Sequence, residues 1–95
     1  MSDPAEIQRR LADLEGQVSQ YLETKARWAG DQRLGADLTD SDPLRKRIVE
    51  RIASGAQTMV DQRGKFSKDM DVLQKMGGFT QDDLRRMASM ERDMT

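Results

Sequence analysis

The sequence predicts an all-α fold: an antiparallel, coiled-coil-like helical hairpin followed by a short third helix at the C-terminus. Apolar residues recur at alternating three- and four-residue steps over residues 4–29 and 43–76, which places them on one face of a helix. Hydrophobic residues make up 36% of the 95-residue chain and charged residues 35%, a balance typical of helices that bury only a narrow stripe. We therefore expect a single helical domain over residues 1–95.

The first helix is expected over residues 4–29. Asp3 can cap it, Pro4 suits the first helical position, and Glu6 lies three residues after the cap, as in a capping box. The apolar positions follow the heptad spacing of coiled coils; they are Ile7, Leu11, Leu14, Val18, Tyr21 and Trp28. This stripe requires a partner helix along its length.

Residues 30–42 are expected to form an acidic connection between the two long helices. Gly30 and Gly35 favour the end of a helix, and the Asp residues of this stretch prefer turns and caps. Because a first helix that ends at residue 29 is shorter than one over 43–76, the second helix should extend beyond its partner. Its far end would then present an uncovered apolar face.

The second helix, over residues 43–76, begins and ends on clear signals. Asp42 and Pro43 provide the cap and the first position, and Gly77 and Gly78 terminate it. Its stripe consists of Val49, Ile52, Ala56, Met59, Phe66, Met70 and Leu73. Only Arg63 breaks the spacing.

A short third helix is expected over residues 80–94. Thr80 is a good cap and Asp83 lies three residues later, which favours a capping box. This helix either folds back through a hinge at Gly77 and Gly78 to cover the end of the hairpin, or projects and binds a partner in trans.

The long apolar stripe predicts protein–protein association, either as a homo-oligomer or around a partner helix. Met side chains adapt to irregular partners, so the predicted surface includes those of the third helix. Its members are Val49, Ile52, Met59, Phe66, Met70, Leu73, Met87, Met90 and Met94. The alternative is that the same stripe forms only the internal seam of the hairpin.

The sequence does not favour catalysis. It contains no His and no Cys, which are common bases, nucleophiles and metal ligands. No phosphate-binding loop, metal-ligand spacing or nucleophile–base pair is visible. We therefore expect no enzymatic activity, no catalytic or metal-binding residues and no cofactor.

Four neighbouring cations form a basic cluster at the start of the second helix: Arg45, Lys46, Arg47 and Arg51. The cluster can pair with nearby acids such as Asp42 and Glu50. It also suggests, as a second alternative, an accessory protein that binds nucleic acid. The net charge of −1 and the lack of interleaved aromatic residues argue against that alternative.

Two short stretches resemble known families. Trp28-Ala29-Gly30 resembles the Trp-x-Gly turn of the WXG family of small secreted helical hairpins, which implies a turn there and pairing as dimers. The segments 40–43 and 65–71 are similar to the interhelical Pro-Ser-Asp-Pro turn and the Lys-x-x-Lys-Asp-Ile-Asp stretch of type III secretion needle subunits. Both resemblances imply, as an alternative function, a small subunit or substrate of a specialised secretion system.

The N-terminus lacks the basic start and apolar run of a cleaved signal peptide. No apolar run is long enough for a membrane span. We expect a protein that is cytoplasmic, or exported without a cleaved signal peptide.

Overall fold

A computed structural model describes residues 3–95, so Met1 and Ser2 of the expected 1–95 domain lie outside the described part. Within it the chain forms three α-helices: α1 (Pro4–Asp37), α2 (Pro43–Gln74) and α3 (Gln81–Asp93). Helices α1 and α2 pack against each other as an antiparallel hairpin, and α3 folds back onto α1. The rod measures 61 × 18 × 16 Å. The predicted fold class is confirmed.

The predicted helix starts are confirmed by their hydrogen bonds. The Asp3 carboxylate accepts the Ala5 backbone N–H at 3.0 Å, and the Asp42 carboxylate accepts that of Leu44 at 2.9 Å. These bonds satisfy donors that the first turn of each helix leaves unpaired. The turn before α3 contains Gly77 and Gly78 at φ +71° and +78°, where a residue with a Cβ would be strained.

The expected connection over residues 30–42 is wrong in its first part, because α1 continues to Asp37. Tertiary packing outweighs the low helix propensity of Gly30 and Gly35. Gly35 lies so close to α2 that a Cβ there would be 3.2 Å from the Ile48 side chain. The helix is therefore held where a small residue lets the two backbones approach each other.

Two further expectations are wrong because α1 ends at Asp37 and not at residue 29. Helices of 34 and 32 residues leave no long overhang of α2, contrary to the inequality predicted from residues 4–29 and 43–76. Trp28-Ala29-Gly30 lies inside α1, so the turn implied by the WXG resemblance is absent at these residues. The interhelical turn lies instead at 38–42, which overlaps the segment 40–43 compared with the interhelical turn of needle subunits.

The seam register is also corrected at the start of α2. Ile48 is 2% exposed, whereas Val49, which the predicted stripe included, is 48% exposed. Both are apolar, and both fit the helical spacing, because Ile48 lies four residues before Ile52 and Val49 lies three residues before it. Farther along, Gln62 is half-buried against α1, where its side-chain amide donates to the Thr24 hydroxyl at 3.1 Å.

The main core lies at one end of the rod, where three helices meet. It is formed by Ile7, Leu11, Leu14, Val18, Tyr21, Met59, Phe66, Met70, Leu73, Met87, Met90 and Met94. We call this the three-helix end. At the other end, within residues 22–60 apart from Met59, only α1 and α2 pair; we call this the two-helix end. Its seam is narrower and contains small and polar residues such as Gly35, Gly55 and Asp31.

The contrast between buried and exposed leucines gives a stability prediction. Leu11→Ala should lower the free energy of unfolding by about 2–5 kcal/mol, because it leaves a cavity in a core where Leu11 is 0% exposed. The same substitution at Leu34, which is 42% exposed on the same helix, should cost less than about 1 kcal/mol. Urea denaturation followed by circular dichroism measures both. Equal losses would contradict the proposed core.

Candidate partner-binding groove

Helix α3 fills part of a groove that runs along one side of the hairpin. Its Met87, Met90 and Met94 side chains are buried against the main core. At the edges of the groove, Asp83 of α3 contacts Gln8 of α1, and Glu91 accepts a hydrogen bond from Gln74 of α2 at 3.0 Å. The third helix therefore folds back onto the hairpin, the first of the two arrangements expected from the sequence.

An ion pair fixes α3 to α1. The Arg86 guanidinium donates to both carboxylate oxygens of Glu15, with Nε 3.1 Å from Oε2, and to Gln8 Oε1 at 2.8 Å. The hydrogen bond from Arg86 lowers the pKa of the Glu15 carboxyl, and the same bond raises the pKa of Arg86. Such a two-bond contact sets orientation as well as adding attraction.

Asp83 both caps α3 and docks it. Its carboxylate accepts the Thr80 backbone N–H at 3.1 Å, and the Thr80 hydroxyl accepts the Asp83 N–H at 3.1 Å, which completes the predicted capping box. The carboxylate also accepts the Gln8 side-chain amide at 3.0 Å. These hydrogen bonds lower the pKa of Asp83, with the contact to Gln8 having the largest effect.

The groove continues past the end of α3, where no other helix of residues 3–95 covers it. Seven-residue spacing keeps side chains on one side of a coiled-coil helix, so the line through Gln8 and Glu15 of α1 continues to Leu22 and Ala29. On α2, the side chains that point to the same side as the part covered by α3 continue toward the interhelical turn. We define the open groove by six residues: Leu22, Ala29, Val49, Ile52, Ala56 and Val60.

The floor of the open groove is apolar and accessible. Leu22 is 42% exposed, Val49 48% and Val60 60%, while Ala29, Ile52 and Ala56 are half-buried. Leu22 lies beside Asp93 at the end of α3. The open groove therefore begins where the third helix stops. A row of apolar side chains between two helices is the type of surface that accepts an amphipathic helix.

The edges of the open groove are basic. Four side chains form this basic rim: Lys25 and Arg33 on α1, and Arg45 and Lys46 on α2. Arg63 lies next to them, beside the end of α3. Heptad spacing places no Asp or Glu of α1 or α2 toward this side between residues 22 and 60. Arg45 pairs with Asp40 at 2.9 Å, and the Arg63 guanidinium lies 5.6 Å from the Tyr21 ring centre.

The three other rim cations, Lys25, Arg33 and Lys46, form no salt bridge with any residue in the described part of the chain. Exposed cations of this kind are available to pair with an approaching anion.

The opposite side of the two-helix end has a shallow recess of about 260 Å³ next to Trp28 and Gly55. The indole Nε1 is buried, with no hydrogen-bond partner among the described residues. Arg51 and Asp31 close the recess with a salt bridge of 3.1 Å. A Cβ at Gly55 would be 3.2 Å from Trp28 Cδ1, so Gly55 makes room for the indole.

The structure places most of the predicted partner-binding residues inside the protein. Seven of the nine are buried in the chain's own core: Met59, Phe66, Met70, Leu73, Met87, Met90 and Met94. Among them, Phe66, Met70 and Leu73 lie on the end of the second helix that was expected to be uncovered. They are covered because the two long helices match in length and α3 folds back. Val49 and Ile52 alone belong to the open groove.

The predicted basic cluster is not a single patch. On a helix its four residues point in different directions: Arg45 and Lys46 border the open groove, Arg51 reaches Asp31 on the opposite side, and Arg47 is exposed. Ion pairs therefore occupy two of the four cations.

Sequence reasoning missed Leu22 and Val60 as site residues. Leu22 lies one position after Tyr21 and Val60 one position after Met59, so both follow seam residues directly in the sequence. The signal was present in the seven-residue series from Gln8 through Leu22. This series can be interpreted as the edge of a groove only when the position of α3 is known.

Within residues 3–95 no helix combines the length and the apolar character that crossing a membrane requires. The same residues contain no group of three or more His, Cys, Asp or Glu side chains placed to hold a metal ion. No protein-family model, curated protein or solved structure matches this chain.

Lowering the pH should weaken the docking of α3. Glu15 and Asp83 have pKa values below the ordinary 4.5 and 3.8, because Arg86 and Gln8 bond their charged forms. The unfolded chain therefore binds protons first, so the stabilisation is present above about pH 4.5 and is lost as the pH falls through the lowered values.

Denaturation at pH values from about 6 to 3 measures this dependence. A Glu15→Gln variant should show a shallower loss than the parent, while Glu23→Gln, at an exposed position of α1, should not change the slope. A steeper loss in Glu15→Gln would contradict the role given to this carboxylate.

Two glycines of α2 give a further prediction. Gly64→Ala should stabilise α2 by about 0.5–1 kcal/mol, because nothing lies within 4 Å of its added Cβ. Gly55→Ala should gain less or lose stability, because the Trp28 indole must move. Equilibrium unfolding and the emission spectrum of Trp28 measure both effects. Equal stabilisation with unchanged emission would show that the close approach at Gly55 has no energetic importance.

Proposed function

We propose that this protein is a non-enzymatic helix-binding module that holds a partner helix in the open groove. The observation that supports the proposal is continuity: the groove that α3 fills at the three-helix end continues with an exposed apolar floor at the two-helix end. A partner helix there would lie in line with α3 and extend the three-helix packing along the rod.

The energetics favour a reversible complex. Full burial of a Leu or Val side chain contributes about 1.5–3 kcal/mol. Leu22, Val49 and Val60 are already about half covered, so each would add roughly 1 kcal/mol. Because association costs about 4–15 kcal/mol, burial of these three side chains alone does not offset that cost. Further contacts at the rim must supply the rest.

This proposal relocates the association surface expected from the sequence. A surface running from Met59 to Leu73 on α2, whether for self-association or for a partner helix, would require α3 to leave its place. The open groove needs no such displacement. No feature of the fold favours the secretion-system alternative or the nucleic-acid alternative over this one.

Site-specific photo-crosslinking in the source cells tests the proposal. A photoreactive phenylalanine analogue at Val49 or Val60, both in the open groove, should yield the same protein adduct. The analogue at the neighbouring positions Glu50 and Asp61, which point outward, should not. A Leu22→Asp change should remove the adduct, because it introduces a charge into the apolar floor.

The crosslinking result has clear contrary outcomes. Adducts of equal yield at the outward positions, or no adduct at either groove position, would overturn the proposal. Circular dichroism of each variant verifies that the helices are retained. An adduct with the mass of two chains would identify the partner as a second copy.

A further inference from the structure

We infer that the partner helix is acidic along its edges: an amphipathic helix of about three turns whose apolar side enters the open groove and whose Asp and Glu residues meet the basic rim. This inference rests on the proposed function and adds the chemistry of the partner. It is drawn from the charges on the two parts of the groove and from the length of the open part.

The charge at the edge of the groove changes sign along the rod. Where α3 lies, the α1 edge presents the Glu15 carboxylate, which forms a salt bridge with the Arg86 guanidinium of α3. Along the open part, the charged side chains that α1 and α2 place at the edges are cations, among them Lys25 and Lys46, and the one described acid at the rim, Asp40 of the interhelical turn, is already paired with Arg45. The intramolecular complex thus pairs opposite charges at its edge, and the same rule requires acids on the helix that occupies the open part.

A second copy of this chain fits the open groove less well. Two copies facing each other through it would bring basic rim against basic rim. Like charges at close range repel each other in bulk water, and more strongly where solvent is excluded. The rim therefore acts against self-pairing while it attracts an acidic partner.

The apolar floor of the open groove favours an amphipathic helix over a ligand that is only a polyanion. A nucleic acid strand would use the rim cations and would need aromatic side chains on which to stack bases. The open groove has none, because its floor is aliphatic. From Val49 to Val60 the floor rises about 16 Å along α2, close to the length of the 13-residue α3.

Designed peptides test the inference directly on the full chain. The acidic peptide has about four turns, Leu at a three- and four-residue spacing and Glu at the flanking positions. A basic peptide replaces each Glu with Lys, and a scrambled acidic peptide keeps the composition but loses the apolar side. Each has a fluorescent label, and anisotropy gives its affinity. A single-stranded DNA oligonucleotide is the fourth probe.

The acidic peptide should bind at least tenfold more tightly than the basic and scrambled peptides, and its affinity should fall as salt is raised. Lys46→Glu, in the basic rim, should weaken the acidic peptide several-fold and strengthen the basic one. Arg47→Glu makes the same change in net charge at the adjacent outward position, so it is the matched control and should alter neither affinity appreciably.

Each contrary result has a distinct meaning. If acidic and basic peptides bind equally, the acidic-partner inference is wrong while helix binding stands. If the scrambled peptide or the oligonucleotide binds as tightly as the acidic peptide, the rim recognises anions in general and the inference is wrong. Equal effects of Lys46→Glu and Arg47→Glu, or no binding by any peptide, also overturn it. The crosslinking experiment tests the proposed function independently of these outcomes.

Discussion

The fold depends on the docking of α3 against the hairpin at one end of the rod. Two helices alone bury only the residues along the seam between them. A third helix covers one side of that seam, so that side chains such as Leu11 and Leu73 become fully buried. The ion pair of Arg86 with Glu15 and the double use of Asp83 fix the position of that helix. Methionines fill the shared core because their flexible side chains adapt to three converging surfaces.

The two-helix end differs because no third helix of residues 3–95 packs against it. There α1 and α2 approach closely through Gly35 and Gly55, and a hydrogen bond of Thr24 and the salt bridge of Asp31 cross the seam. These polar contacts specify the pairing of the helices more than they stabilise it. Apolar side chains that a third helix would cover therefore remain in contact with water.

The sequence was sufficient for the fold class and for the helix starts, because capping residues act locally and leave a local signature. It was insufficient at Gly30 and Gly35, where packing against α2 overrides low helix propensity, and at Ile48 and Val49, where two apolar neighbours made the seam register ambiguous. The candidate site was the least predictable part. A side chain such as Leu22 becomes part of a groove only once the position of α3 is known, and that position depends on contacts between residues some 70 apart in sequence.

The end of α3 determines where a partner can lie as well as what it must contain. Because Asp93 stands beside Leu22, a helix in the open groove would meet the end of α3. The carboxylate there would favour a cationic group at the adjoining end of the partner, while Lys25 and Lys46 farther along favour anions at its edges. A helix entering the groove in the wrong direction would place its charges against like charges. In the proposed complex, charge would therefore select the direction of the partner helix, while the apolar floor would supply attraction that is independent of direction.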